Sequence, residues 1–158
     1  MHTLYSCLWF DGKAEEAAAF YTSLLPDSHV DKVWLSPADT PSGPAGMFLV
    51  VDFTLAGQRM QGLNGGPDFH FNEAVSIVIE CEDQAEVDRL WDALTSEGGE
   101  PGPCGWLKDR YGLSWQIVPL ELNRLLDDPD PERARRAMEA MLTMGKIEVE
   151  LRTAADAA

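Results

Sequence analysis

Three side chains with different chemistry lie close together in the segment 104–109. Cys104, Trp106 and Lys108 alternate along the chain, so a strand would place a thiol, an indole and an ammonium group on one face. A nearby ammonium group lowers the pKa of a thiol and would activate Cys104 as a nucleophile, but no histidine lies near it as a partner base. We therefore predict that Trp106 and Lys108 contact a small ligand, the indole offering a broad apolar face.

Asp52 interrupts an apolar alternation and is the candidate catalytic residue. The residues that share the opposite face of the predicted strand are apolar: Met47, Leu49, Val51 and Phe53. If that face packs on a helix, Asp52 points into a cavity, where a carboxylate has a raised pKa and can act as a general base. The alternative is a solvated or hydrogen-bonded carboxylate on an open sheet face.

Asn64 and His70 are less specific candidates for functional residues. Asn64 precedes Gly65-Gly66-Pro67, where it either contacts a ligand at the mouth of a cavity or takes part in an ordinary turn. The three histidines include no pair with the HxxxH spacing of helical metal ligands, and His70 lies in a predicted loop. We keep Asn64 as a candidate ligand-binding residue.

The elements that must position these residues occur in two copies. Apolar periodicity predicts a first set with a helix at 13–25 and strands at 3–10, 30–35, 47–55 and 59–63. It predicts a second set with a helix at 83–97 and strands at 74–81, 105–108 and 113–118. A shift of 71 places Phe20 on Trp91, and a shift of 55 places Gln61 on Gln116, as in an internal repeat.

The remaining residues, 120–158, predict a helical extension. A short helix at 120–126 precedes a second helix that begins at Asp130-Pro131 and ends near Gly145. After it, Ile147, Val149 and Leu151 alternate as in a strand or docking arm, and 153–158 are expected to fray. The stripe formed by Met138, Met141 and Met144 needs an apolar partner, either the same chain or a second subunit, and we expect a homodimer.

Composition excludes several classes of partner. The 158 residues include 27 Asp+Glu and 12 Lys+Arg, and this net charge of −15 opposes nucleic acid and anionic lipid surfaces. No apolar run approaches the roughly 20 residues of a membrane span, and no export signal opens the chain. The cysteines Cys7, Cys81 and Cys104 are odd in number and form no CxxC motif, which indicates reduced thiols in the cytoplasm.

Four segments carry a resemblance to a known family: CLWFDGKAEEAAAFY at 7–21, LNGGPDFHFNEAVS at 63–76, CGWLKDRYGLSWQIVP at 104–119 and DPDPERARRAMEAMLTMGKIE at 128–148. The chain resembles the PhnB-like, 3-demethylubiquinone methyltransferase-like branch of the vicinal oxygen chelate superfamily, which includes glyoxalase, bleomycin-resistance and dioxygenase relatives. The resemblance implies an α+β fold in which two βαβββ modules, 1–68 and 69–119, pair into a half-open barrel. The helical extension 120–158 then belongs to the same domain or to a dimer interface.

The resemblance also implies where a divalent metal would bind. The four inherited positions fall at Tyr5, Gln61, Ser76 and Gln116, where metal-dependent members place His and Glu. A phenol, a hydroxyl and two amides carry no charge at pH 7, and they cannot replace the hydration shell of a divalent ion. We therefore predict no metal and no cofactor. The four residues, with Trp9 on the same strand face as Tyr5, are instead expected to contact a ligand, although the two glutamines could also satisfy each other or water.

The expected function is binding of a small organic molecule, aromatic or carbonyl-bearing, in a metal-free cavity. One alternative is a metal-independent enzyme of the lyase or isomerase type, with Asp52 as base and Gln61 or Gln116 as polariser. The methyltransferase of the family label is also open, although no strand leads through GxGxxG into a helix as in many nucleotide-binding folds. A metal-dependent glyoxalase or dioxygenase is disfavoured by the missing ligands.

Overall fold

The structure is a computed structural model that describes residues 2–157. It separates into two compact units, which divide between Phe71 and Asn72. No helix within the described residues is long and apolar enough to cross a bilayer.

Unit 1 is a four-stranded mixed sheet with one helix. Its elements are β1 (Ser6–Phe10), α1 (Ala14–Leu24), β2 (His29–Leu35), β3 (Phe48–Leu55) and β4 (Gln58–Asn64). The strand order is β1-β4-β3-β2, with β1 parallel to β4 and the other pairs antiparallel.

The core of unit 1 lies on one face of this sheet. The small and aromatic side chains of α1, including Ala17 and Tyr21, are fully buried, as are Val51 and Phe53 of β3. Because strand side chains alternate, the residues between them in sequence project from the other face. We call this second face the site face of unit 1.

Unit 2 repeats the same arrangement. It contains β5 (Ser76–Cys81), α2 (Gln84–Thr95), β6 (Glu100–Pro101), β7 (Trp106–Lys108) and β8 (Ser114–Pro119), in the order β5-β8-β7-β6. Cys7 pairs with Gln61 in unit 1, and Val78 pairs with Gln116 in unit 2, so the shifts of 71 and 55 hold in three dimensions. The predicted internal repeat is confirmed.

The C-terminal residues fold as three helices within unit 2: α3 (Leu120–Leu126), α4 (Pro131–Met141) and α5 (Glu150–Asp156). They share a buried cluster formed by Leu122, Leu125, Ala137, Ile147, Leu151 and Ala155. Met141 and Met144 pack against this cluster, so part of the predicted methionine stripe docks on its own chain. The α+β class is confirmed as two βαβββ units, neither sheet closed into a barrel, followed by a helical region.

Several predicted boundaries are wrong. The first strand begins at Ser6 and the fifth at Ser76, so Leu4 (99% exposed) and Val75 (70% exposed) pack against no helix. Helix α4 ends at Met141, before Gly145, and the two-residue strand β6 was not predicted. The alternation at 147–151 does not form a strand: α5 begins at Glu150, and residues 153–156 are helical because Leu151 and Ala155 are buried.

Candidate functional site

A row of polar side chains crosses the site face of unit 1. The register pairs Lys32 with Asp52, Asp52 with Gln61, and Gln61 with Cys7, so all four strands contribute to the row. Directly paired residues project from the same face, which brings the predicted Asp52 and Gln61 together.

Asp52 is the centre of a hydrogen-bond network. The indole N–H of Trp34 donates to Asp52 Oδ2 over 2.7 Å, and Gln61 Nε2 donates to Oδ1 over 2.9 Å. The guanidinium of Arg59 lies 3.5 Å from Oδ1. Asp52 is only 8% exposed, so these donors replace most of its water.

This network lowers the pKa of Asp52. Burial is the largest single influence and would raise the pKa, but the hydrogen bonds from Gln61 and Trp34 and the charge of Arg59 outweigh it. The expectation of a raised pKa is therefore wrong. The donors come from neighbouring strands, and the sequence alternative of a hydrogen-bonded sheet carboxylate describes the residue correctly.

Two cationic side chains, Arg59 and Lys32, also lie on the site face of unit 1, and neither was predicted from the sequence as a site residue. The Arg59 guanidinium lies 4.0 Å from the centroid of the Tyr5 ring, and Lys32 Nζ lies 3.3 Å from that of Trp34. Such cation–π contacts hold the rings in place. The available signal was alternation: Arg59 is two residues before Gln61, and Lys32 is two residues before Trp34.

Trp9 has a packing function in the structure. Its indole N–H donates to Gly66 O over 2.8 Å, and its ring contacts Phe69 edge-on with centroids 4.9 Å apart. A Cβ on Gly65 would lie 2.3 Å from the Trp9 ring, so only glycine allows this approach. Trp9 therefore holds the loop that follows β4 against the end of β1 through a hydrogen bond and a ring contact.

Asn64 lies on the opposite face from Gln61, and its predicted ligand contact is corrected. Its Oδ1 accepts the Ala14 N–H over 2.8 Å at the start of α1, and its Nδ2 donates to Phe48 O and Glu15. Asn64 is 4% exposed. Strand parity explains the difference, because Met60, Gly62 and Asn64 share the helix-facing side of β4.

Cys104 and Lys108 do not form a reactive pair. Cys104 precedes β7 in a turn with φ 56°, so the predicted alternation with Trp106 does not reach it. The Lys108 ammonium instead forms an ion pair with Glu73, and the Cys104 N–H donates to Met144 O over 2.8 Å. On the site face of unit 1, burial and the charge of Asp52 raise the pKa of the Cys7 thiol, which disfavours a thiolate there as well.

The corresponding face of unit 2, its site face, has different chemistry. One row contains Ser76, Ser114, Lys108 and Glu100, and the next contains Val78, Gln116 and Trp106. Gln116 Nε2 donates to Ser76 Oγ over 2.9 Å. The structure thus brings the predicted Ser76, Gln116, Trp106 and Lys108 to one face.

The residues at the inherited metal positions do not fit a divalent ion. Gln61 Nε2 donates to Asp52, Gln116 Nε2 donates to Ser76, and the Tyr5 ring stacks on Arg59, which places a positive charge beside that position. No group of three or more His, Cys, Asp or Glu side chains within residues 2–157 is placed to hold a metal. Uncharged amide and hydroxyl donors do not compensate the dehydration of such an ion.

Residues 2–118 match the model of the 3-demethylubiquinone-9 3-methyltransferase family. A Bacillus cereus PhnB protein described by the same activity is 31% identical, with 75% of this chain and 99% of that chain covered and a TM-score of 0.65.

More distant solved structures share the fold. PA1353 of Pseudomonas aeruginosa is 21% identical, with 75% and 98% of the two chains covered and a TM-score of 0.59. The Arabidopsis thaliana gene product AT5G48480 is 18% identical, with the same coverage and a TM-score of 0.51. No curated protein matches the chain. From the family match over residues 2–118, the chain belongs to the 3-demethylubiquinone-9 3-methyltransferase family, the PhnB-like branch of the vicinal oxygen chelate superfamily.

Proposed function

We propose that this protein binds a small organic molecule, aromatic or carbonyl-bearing, on the site faces of its sheets and without a metal. The observation that carries the proposal is the incomplete hydrogen bonding of the Gln61 and Gln116 side chains. Gln61 Nε2 donates one hydrogen bond to Asp52, and Gln116 Nε2 donates one to Ser76. Neither Oε1 has a hydrogen-bond partner among the described residues. Each amide therefore retains one N–H and one acceptor for a ligand.

Aromatic surfaces stand beside both amides. Tyr5 and Trp34 flank the row of Gln61, and Trp106 is paired directly with Gln116. Broad apolar rings with a few fixed polar groups are typical of sites for small organic molecules. Because Asp52 fixes the Gln61 amide in advance, less conformational entropy is lost when a ligand binds.

The enzymatic alternative with Asp52 as base has less support. A carboxylate with a lowered pKa is ionised at neutral pH but is a weak proton acceptor. The metal-dependent alternative requires donors that are absent from the inherited positions. If turnover of a metabolite is found, its loss in Asp52→Asn would revive the first alternative.

Metal content and ligand binding test the proposal together. Protein dialysed against a chelator is analysed for bound metal, and a panel of aromatic ketones, aldehydes and phenols is screened by thermal shift. We expect less than 0.1 equivalent of any metal, and for the best compound about a threefold to tenfold weaker Kd in Gln61→Ala or Gln116→Ala. The control is Gln58→Ala, an exposed position on β4. Stoichiometric retained metal, or binding unchanged in both variants, contradicts the proposal.

We also propose that the protein is a cytoplasmic homodimer. Apolar side chains of β2 and the start of β3 are exposed, among them Trp34 (46%) and Phe48 (58%), and exposed apolar groups of this size favour association. The three cysteines are free thiols, as expected in a reducing compartment. Sedimentation velocity at micromolar concentration distinguishes dimer from monomer.

A further inference from the structure

A small cavity opens beside the β6–β7 hairpin of unit 2. Its volume is about 160 Å³, and its lining includes Trp106, Lys108 and Ser114 of the site face together with Glu73 and Glu100. We call it the hairpin cavity. Sites for drug-sized molecules occupy roughly 300–1,000 Å³, so this one suits a ligand of about one ring and its substituents.

The lining of the hairpin cavity includes a residue with an unsatisfied hydroxyl, Ser114. Ser114 is 1% exposed, and its Oγ has no hydrogen-bond partner among the described residues. A hydroxyl this deeply buried without a partner is desolvated without compensation, so such groups are rare in folded proteins. A ligand that supplies a donor or acceptor at this point provides that compensation.

The rim of the cavity carries two carboxylates and one ammonium group, and so an excess of one negative charge. The Lys108 ammonium is paired with Glu73, and this hydrogen bond raises the pKa of Lys108 and lowers that of Glu73, so both are charged at neutral pH. The Glu100 carboxylate lies opposite Lys108 in the register, and its charge also raises the pKa of Lys108, although less than that of Glu73 does. The net charge of the lining is therefore that of one carboxylate.

Proline residues and a close backbone contact constrain one wall of the cavity. Pro101 and Pro103 fix the backbone on each side of Gly102, whose N–H donates to Trp106 O over 2.8 Å. A Cβ on Gly102 would lie 2.8 Å from the same oxygen, so the hairpin holds Trp106 closely. The Trp106 indole contributes an apolar surface to the lining, and indole faces attract cations.

We infer that the hairpin cavity binds a small organic cation: an ammonium group at Glu100, a flat apolar body on Trp106, and a hydroxyl or carbonyl at the far end that bonds Ser114 Oγ. This inference rests on the proposed function for Trp106, and it adds Ser114, Glu100 and the charge of the ligand. The net charge of −15 attracts a cation and repels an anion of the same shape.

Four one-ring probes separate the three contacts. 4-Hydroxybenzylamine carries the ammonium group, the ring and the hydroxyl, whereas benzylamine lacks the hydroxyl. 4-Hydroxybenzyl alcohol has no charge, and 4-hydroxybenzoate has a negative charge in place of the positive one. Kd values come from amide and indole NMR titrations of the full chain at low salt. We expect 4-hydroxybenzylamine to bind about threefold to tenfold more tightly than benzylamine or the alcohol, and the benzoate to bind most weakly. The shifts should map to Glu73, Gly102, Lys108, Ser114 and the Trp106 indole.

Two variants assign the contacts. Glu100→Gln should remove the preference for the amine over the alcohol, whereas Glu82→Gln, an exposed glutamate outside the cavity, should leave it unchanged. Ser114→Ala should remove the preference for the hydroxylated amine while its melting temperature stays equal or rises, because an unsatisfied hydroxyl is lost. Glu100 is exposed, so its variant remains a test even if the Ser114 variant unfolds.

Equal affinity for the amine, the alcohol and the benzoate overturns the inference, as does an amine preference that survives Glu100→Gln. Shifts confined to the site face of unit 1, and abolished by Gln61→Ala, would support the proposed function but overturn the hairpin cavity as the amine site. Absence of shifts with every probe overturns the inference alone, since the aromatic ketones and aldehydes of the earlier panel test the proposed function separately.

Discussion

At the residue scale, Asp52 shows how a carboxylate that alternation selects as a candidate base can also be an acceptor for three neighbouring side chains. Alternation along β3 correctly placed it away from Val51 and Phe53, which are buried against α1. The pKa could not be predicted in the same way, because it depends on Trp34 and Arg59 from two other strands. Cross-strand register, which local periodicity does not specify, decides the chemistry.

Replacement of Asp52 by Asn should destabilise the protein by about 1–3 kcal/mol, since one amide oxygen cannot satisfy the Trp34 and Gln61 donors that share the carboxylate. The measurement is urea unfolding at pH 7. Asp31→Asn is the control on the neighbouring strand, where the side chain is more exposed, and should change stability by less than about 0.5 kcal/mol.

The pH dependence of this difference has a definite sign. The pKa of Asp52 is lowered below its ordinary value of 3.8 in the folded state, so its stabilisation is complete above that value. It is lost as the pH falls through the lower folded pKa. The gap between wild type and Asp52→Asn should therefore be constant from pH 7 to pH 5 and shrink below pH 4, and a gap that widens in acid would contradict this assignment.

At the element scale, sequence patterns located most helices and strands but not those that depend on distant packing. The helix predicted at 83–97 forms at Gln84–Thr95 because Asp83 caps it and its apolar stripe is continuous. The alternation of Ile147, Val149 and Leu151 left a strand and a docking arm open. No strand forms there, and Ile147 and Leu151 dock in the buried cluster of the C-terminal helices. Strand β6, with two residues, has no period to detect.

The residues between α4 and α5 support the hairpin that carries Trp106. Cys104 and Gly105 donate backbone hydrogen bonds to Met144 and Gly145, and Ile147 is 1% exposed beneath them. Ile147→Ala should cost about 2–5 kcal/mol in urea unfolding, whereas Val149→Ala, at a position that is 65% exposed, should change stability by less than about 0.5 kcal/mol. Equal effects of the two substitutions would show that this segment is not docked.

At the scale of the whole molecule, the two units share a topology but have diverged in chemistry. Asp52 pairs directly with Gln61, and Trp106 pairs directly with Gln116, so a carboxylate in one unit corresponds to an indole in the other. A constant shift of 55 does not reveal this match, because the turn between β7 and β8 is longer than that between β3 and β4. The repeat was therefore predictable from sequence, and the correspondence of these two residues was not.

The net charge of −15 is distributed over 158 residues, and its self-repulsion opposes the folded state. Salt lowers the Debye length from about 30 Å at 0.01 M to about 8 Å at 0.15 M, which screens this repulsion. Salt also weakens exposed ion pairs, but each contributes only about 0–1 kcal/mol, and many, such as Arg135 with Glu132, join neighbours on one helix.

We therefore expect the melting temperature at pH 7.5 to rise by several degrees over this range of NaCl. The same titration at pH 5, closer to the pI of about 4.3, is the control and should show a smaller rise. A melting temperature that falls with salt at pH 7.5 would mean that the ion pairs outweigh the repulsion.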